Sequence, residues 1–263
     1  MNEIKFIRCD WEDISSTVAE NIIANKITVE SFWEGHVLES NHYQMTVDGE
    51  MVGYFAIHGE NTIMLFHVIP KYAKFSQELF AKVKLSEQVT NAMVATGDEQ
   101  LLSHCFDNYS RIEKQAYVST YRDEDICPTR QKNLTLKLAD VETDLETLKL
   151  SGDFLDSIIK QIQAEGEQSP VKIYIAADDG VIVGFGVVDY GRVIKDIASI
   201  GMFVIDEFRR QGYATNILQS LKHICQNQGH RVFSGCWYYN HNSLKSSKSA
   251  NAYSTTRYVR FYF

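Results

Sequence analysis

The strongest constraint on the fold is that the chain repeats itself. Asp48-Gly49-Glu50-Met51-Val52-Gly53-Tyr54 has the pattern of Asp179-Gly180-Val181-Ile182-Val183-Gly184-Phe185, 131 residues further on. Val68-Ile69 then answers Val204-Ile205 and Tyr72 answers Phe208, both at a spacing of 136, and Ala116-Tyr117 answers Ala252-Tyr253 at the same 136. A repeat of over a hundred residues is too long for a solenoid and implies two domains of one design. The junction is expected near Cys127-Pro128-Thr129-Arg130, giving domains at 1–128 and 129–263.

Each half reads as helices, then strands, then a helix. The Trp11–Leu38 region has helical periodicity, and strand candidates follow at Tyr43–Val47, Met51–Ile57 and Thr62–Ile69. Asp48-Gly49 between the first two is a hairpin turn, because both central positions of the favoured turn need φ > 0. A helix through Phe75, Leu79, Phe80 and Val83 is expected next, then a strand at Ala92–Thr96 and a helical stretch from Leu101 to Gln115. In the second half, Val141–Leu150 and Phe154–Ala164 read as helices broken at Ser151-Gly152-Asp153, with Asp153 as a cap. Strands follow at Val171–Ala177, Val181–Asp189, Ile200–Ile205 and Val232–Trp237, with a last strand toward Phe263. The expected class is α/β (α+β): two tandem domains, each a mixed, mostly antiparallel sheet flanked by helices.

One stretch carries chemistry. Met202–Ile205 is an apolar strand; a charged turn with Asp206, Glu207, Arg209 and Arg210 follows; after Gly212 comes a helix with Ala214, Ile217, Leu218, Leu221 and Ile224 on one face. A glycine at the mouth of a helix lets the backbone approach a bound group, and the unpaired N–H groups of the first turn favour an anion. The first half has Phe75-Ser76 where the second has Gln211-Gly212, and no glycine between Gly59 and Gly97. Side chains there would keep a diphosphate from the backbone.

Net charge is −8, but Gly201–Phe263 holds eight Lys and Arg against Asp206 and Glu207, which leaves the first 200 residues at −14. Such a chain suits a small polyanion at its basic end and is a poor general nucleic-acid binder. No apolar run is long enough to span a membrane, and the acidic start is unlike a secretory signal, so a cytoplasmic protein is expected. The five cysteines are scattered and the eight histidines lack ligand spacing, so neither disulfides nor a metal is expected.

The spacing Arg209-x-x-Gly212-x-Ala214 resembles the acyl-coenzyme A pyrophosphate loop of the GNAT acetyltransferase superfamily, and the order of elements around it is that of the GNAT fold. The chain looks like tandem members whose first copy is degenerate. Trp237–Asn240 followed by Ser243 is similar to the corresponding run of zwittermicin-resistance-type bacterial members. The resemblance implies acetyl-CoA as co-substrate and no metal. Backbone groups of Phe203, Val204 and Ile205 would pair with the pantetheine arm, and the N–H groups of Arg210, Gln211, Gly212, Tyr213, Ala214 and Thr215 would hold the pyrophosphate. The guanidiniums of Arg209 and Arg210 would add charge. Asn240 is either the family's asparagine that bonds the cofactor arm or the N-cap of the helix it opens. The family's catalytic tyrosine position falls on Lys248, which leaves the acid open among Tyr238, Tyr239 and His241 and the base between Asp196 and Glu207. The first copy would be structural or form a wall of the acceptor pocket. The implied activity is N-acetylation of a primary amine of a small molecule by a monomer or homodimer. The rival reading is a catalytically silent CoA-binding or ligand-sensing module; acylation of protein or tRNA fits less well, because the chain has no basic arm.

Overall fold

The computed structural model describes residues 3–86, 88–124 and 132–263. It divides into two compact units, Met1–Tyr117 with Thr256–Phe263, and Val118–Thr255. The expected junction at Cys127–Arg130 lies outside the described residues.

In the first unit β1 (Ile4–Cys9) pairs antiparallel with β2 (Asn41–Val47), with helices α1 (Ser15–Ala24) and α2 (Ser31–Leu38) between them in sequence. The Asp48-Gly49 turn has φ of 51° and 84° and leads into β3 (Glu50–His58), as the hairpin signal requires. Next come β4 (Thr62–Val68), α3 (Ser76–Ser86), β5 (Asn91–Ala95), α4 (Glu99–Phe106) and the start of β6 (Arg111–Tyr121). Its core gathers Met45, Phe55, Ile63, Phe66, Leu79, Phe80 and Phe261, all at most 2% exposed.

Two parts of the first unit differ from the sequence reading. β1 precedes the first expected element, and the Leu101–Gln115 stretch is helical only to Phe106. Arg111–Gln115 is strand, although Glu, Lys and Gln are good helix formers. Its bonds are long-range: Ser110 N–H donates to the carbonyl of Tyr262 at 2.7 Å, the Tyr262 hydroxyl to Glu113 at 2.8 Å, and Arg111 lies over the Tyr262 ring. A partner some 150 residues distant leaves no local periodicity to read.

The second unit contains β7 (Leu134–Leu138), α5 (Leu145–Leu148), α6 (Asp156–Glu165), β8 (Val171–Asp178), β9 (Val181–Tyr190), β10 (Ile197–Val204), α7 (Tyr213–Asn227), β11 (Arg231–Trp237) and α8 (His241–Ser249). The strand β12 (Ala252–Tyr262) starts in this unit, and its later residues Tyr258–Tyr262 pair antiparallel with β5 in the first. Asp179-Gly180, with φ of 49° and 82°, is the second copy of the hairpin turn. The expected helix at Val141–Leu150 is shortened to α5 and a 3-10 segment, Gly152 breaks it at φ 57°, and Asp153 does not cap α6, whose N-cap is Leu155. Alternation along β8 sends Tyr174 and Ala176 into the core that receives Ile217, Leu218, Leu221 and Cys225 of α7. Ile173 and Ile175 face Leu155 and Ile159 on the opposite side. Gly186 is glycine because a Cβ there would press on Leu221.

Each unit is thus a mixed sheet, mostly antiparallel, flanked by helices, as expected. Among the described residues no helix is long and apolar enough to cross a membrane.

Candidate functional site

Strand β10 sets the site. It pairs antiparallel with β9 along its length, to Val204 opposite Gly184. Its parallel pairing with β11 runs from Ile197–Arg231 to Ser199–Phe233 and stops. From Ile200 to Val204, among the described residues, the β11-facing edge of β10 has no neighbouring strand. Such an edge presents N–H and C=O groups to an extended ligand as to an added strand. Gly184 holds the other edge tightly, since a Cβ there would collide with the Phe203 carbonyl oxygen.

Beyond Val204 the chain makes the turn that the sequence singled out. Ile205 N–H donates to the Val183 carbonyl at 3.0 Å and Phe208 N–H to the Ile205 carbonyl at 2.9 Å. Arg210 and Gly212 then take φ of 62° and 95°. Gly212 is the N-cap of α7; no side chain caps that helix, and its first turn holds no acidic residue. The first-turn N–H groups therefore sit beside the open edge of β10 with their partial positive charge uncancelled.

Tyr213 fixes this corner. Its hydroxyl donates to Asp178 at 2.7 Å, and Lys132 Nζ reaches the same oxygen at 3.4 Å. The bond to Asp178 raises the Tyr213 pKa. Asn216 Nδ2 donates to the Gly212 carbonyl at 2.9 Å. Neither anchor is legible from the loop motif; an apolar helix face interrupted by Tyr213 and Asn216 was the available signal. Arg209 braces the turn: Nε donates to the Val204 carbonyl at 3.1 Å, and Nη2 lies 2.5 Å from Asp206. Its guanidinium is thus engaged with its own loop. Arg210 is exposed, Ala214 and Thr215 are half-buried, and Gln211 donates to the Glu207 carbonyl at 3.1 Å.

The catalytic candidates separate. Because β11 runs parallel to β10, its Trp237 end and Val204 point to the same end of the sheet. Tyr238 and Tyr239 follow Trp237 there, with Tyr239 edge-on to both Trp237 and Tyr238 at centroid distances of 5.0 and 5.3 Å. His241 opens α8 and is exposed. Asn240 caps α8, its side chain accepting the Ser243 N–H at 3.1 Å. Glu207 lies exposed in the turn. Asp196 is elsewhere: it precedes β10 at the end still paired with β11. Arg231 clamps it through two bonds of 2.8 and 3.0 Å and lowers its pKa. Seven residues of strand, roughly 23 Å, separate it from Phe203, so the structure does not bring Asp196 to the open edge. Lys248 is exposed near the end of α8.

The first unit copies the frame and closes the opening. Gly53 is pressed on the His67 carbonyl as Gly184 is on Phe203. Ile69 has φ −54° and ψ 135°, against −56° and 138° for Ile205. Its N–H donates to the Val52 carbonyl at 2.8 Å, and Tyr72 N–H to the Ile69 carbonyl at 2.8 Å. β4 likewise leaves β5 after Thr62–Asn91 and Ile63–Ala92. There the copies part. Pro70–Phe75 winds as a 3-10 helix straight into α3 at Ser76, which keeps right-handed φ and ψ of −58° and −43°, and Glu78 lies in the first turn. The freed edge is filled from within: Val68 N–H donates to Gln100 Oε1 at 3.0 Å, and Gln100 Nε2 donates to the Val68 carbonyl at 3.2 Å. Asp98 caps α4 through the Leu101 N–H at 3.1 Å, the counterpart of Asn240 and Ser243. Gln100, two residues past that cap, escaped the sequence reading; aligning Asp98 with Asn240 would have exposed it.

Among the described residues no three His, Cys, Asp or Glu side chains gather as metal ligands. Residues 10–122 match a family model described as an acetyltransferase (GNAT) domain, and residues 139–246 match one described as the acetyltransferase (GNAT) family. An acetyltransferase from the GNAT family of Colwellia psychrerythraea has a similar structure, with a TM-score of 0.84 at 18% identity over 99% of both chains. A GCN5-related N-acetyltransferase from Sphaerobacter thermophilus gives 0.63 at 15% identity, covering 98% of this chain and 94% of that one. A tandem GNAT protein from the clavulanic acid biosynthesis pathway gives 0.62 at 12% identity over 98% of both. No curated protein matches by sequence.

Proposed function

Because the chain belongs to the GNAT acetyltransferase superfamily, with two GNAT domains in tandem, we propose that it transfers the acetyl group of acetyl-CoA to a primary amine of a small molecule. Residues 129–263 are the domain that takes the thioester in this reading, and residues 1–128 a copy that has lost it. The observation that carries the reading is the uncapped start of α7 behind Gly212, next to the unpaired edge of β10. Diphosphate at the first fits the helix field, and an amide-bearing pantetheine arm at the second fits an open strand edge. The N–H groups of Arg210 to Thr215 line the first; of Phe203, Val204 and Ile205, it is Val204 that would offer its N–H at the second, since Ile205 N–H is already given to the Val183 carbonyl of β9 and the Val204 carbonyl accepts from Arg209. Asn240 keeps its capping bond in this arrangement and would meet the cofactor arm with its Nδ2 hydrogens.

The amine nitrogen attacks the thioester carbonyl carbon, a C–N bond forms as the C–S bond breaks, and the amine's proton passes to a base while the thiolate takes one from an acid. A backbone N–H of the open edge would hold the oxyanion. Tyr238, Tyr239 and His241 are the acid candidates, standing at the end of β11 that faces the same way as Val204. Glu207 replaces Asp196 as the carboxylate to test for the base, since Asp196 is bound to Arg231. A small cationic acceptor suits the acidic first 200 residues.

The test is thiol release from acetyl-CoA across a panel of amines, with calorimetric binding of acetyl-CoA beside it. Release with at least one amine supports transfer. Binding without release on any amine supports the silent module, a reading favoured by Lys248 standing where the family has its tyrosine. No binding at all removes both.

A further inference from the structure

The gap beside β10 has a cluster of buried hydroxyl groups at its closed end. Ser199 opposite Phe233 is the last paired position of β10 and β11, so Ser234 stands level with Ile200, where the open edge begins. Alternation puts Ser234 on the same face as Val232, which packs with Ile200, Val204 and α7. The Tyr121 hydroxyl donates to Ser234 Oγ at 3.3 Å, Ser234 Oγ lies 3.4 Å from Ser247 Oγ, and Ser247 acts on Tyr121 as well. All three side chains are buried. Tyr121 ends β6, on the side of β11 away from β10, and it belongs with both serines to the second unit although it precedes residue 129. We propose that Tyr121 is the proton donor to the departing sulfur, with Ser234 and Ser247 as its positioning residues. The proposal rests on the acyl-transfer reading and names the acid that reading needs.

Depth and sidedness carry it. An arm that enters at Val204 and pairs down the open edge meets the closed end of the gap about 13 Å lower, at Ile200. A thioester at the tip of that arm is level with Ser234. The hydroxyls lie on the α7 face of the sheet. Gly201 and Gly235 lie on the other, where Gly235 is exposed and a Cβ at Gly201 would meet nothing within 4 Å among the described residues. An amine has room to attack from the glycine face while the sulfur leaves toward the hydroxyls.

The chemistry suits the place. Burial raises the Tyr121 pKa, the bonds to Ser234 and Ser247 oppose the rise, and Cys236 adds to it. Tyr121 therefore keeps its proton at neutral pH until a stronger base appears beside it. A hydroxyl both donates and accepts, so the Tyr121–Ser234 bond can reverse. As the C–S bond breaks, its electron pair stays on sulfur and the Tyr121 O–H proton passes to that sulfur. The O–H groups of Ser234 and Ser247 then point to the phenolate, and water returns its proton once the products have left.

The experiment follows thiol release by the full chain over a range of acetyl-CoA concentrations, with the amine that gives the fastest release. Tyr121→Phe leaves the ring in the core and should lower kcat about a hundredfold or more, while the KM for acetyl-CoA and the melting temperature stay near the parent's. Ser234→Ala should lower kcat about fivefold by leaving the phenol unguided, and Ser234→Thr, which returns an oxygen to that place, should restore most of it. A second measurement needs no amine: the thiol of bound coenzyme A, titrated by its ultraviolet absorbance, should ionise at lower pH in the parent than in Tyr121→Phe. An active parent whose Tyr121→Phe variant keeps both its kcat and its thiol titration overturns this assignment alone. A parent that releases no thiol with any amine overturns it together with the acyl-transfer reading.

Discussion

The two copies agree up to a single turn and then diverge. Val52, Gly53, Val68, Ile69 and Tyr72 make the bonds and close approaches that Val183, Gly184, Val204, Ile205 and Phe208 make. Both frames splay two parallel strands apart after two or three paired residues. After that, the second copy passes through left-handed backbone at Arg210 and Gly212 and leaves a helix start bare. The first stays right-handed, and Gln100 occupies the strand edge. The splay belongs to the frame, and it is kept whether or not anything enters. What distinguishes the two gaps is a few residues at their mouths, so the duplicated skeleton alone does not decide whether the gap stays open.

The contrast can be broken most sharply at Gly212. Valine cannot readily hold φ near 95°, and its methyl groups would stand over the bare N–H groups. Gly212→Val should raise the acetyl-CoA Kd about a hundredfold or more, ~2.7 kcal/mol. An unchanged Kd by calorimetry would end the distinction drawn between the two turns.

A comparable effect is expected at Asp98, in stability. Its pKa is raised by burial from 3.8 to about 6, so the folded state binds a proton that the unfolded chain has released. The native state therefore loses stability as pH rises from about 4 to 6, by ~3 kcal/mol, and regains it on acidification. Asp98→Asn should flatten that part of the profile in urea melts between pH 4 and 7, with the α4 cap intact. A profile identical to the parent's would mean that the carboxyl is not strained by burial.

Smaller changes sharpen the contrast. Gln100→Ala leaves Val68 N–H and C=O unpaired and should cost ~2 kcal/mol in denaturant unfolding. It should not create acetyl-CoA binding in a Gly212→Val background, because the Pro70–Phe75 turn stays closed. Asp178→Ala removes the acceptor of the Tyr213 hydroxyl and should weaken acetyl-CoA about fivefold, ~1 kcal/mol, by loosening the loop. Ser76→Gly is expected to have no effect on acetyl-CoA affinity, since a glycine inside a right-handed helix does not bare its first turn. A gain of binding in that variant would show that the glycine suffices.

The legible parts of the fold were those written in adjacent residues. Asp48-Gly49 and Asp179-Gly180 encode their turns in a dipeptide, and Gly212 with the face of α7 encodes the uncapped helix start. β1, β7 and Arg111–Gln115 were hidden because their partners stand far away in sequence. Asp196 was misjudged for a related reason: position before the strand was visible, but the clamp by Arg231, which holds it at the paired end, was not. Gln100 looked like any surface residue on a short helix, and only the geometry shows it lying against Val68.

The first unit depends on Tyr258–Tyr262, which lie along β5. A ribosome delivers that segment only after the whole second unit has been made, roughly seven to thirty seconds after Tyr117 at ~5–20 residues per second. During that interval the exposed flank of β5 is an unfinished seam. The earlier half of the chain is thus completed later than the half that follows it.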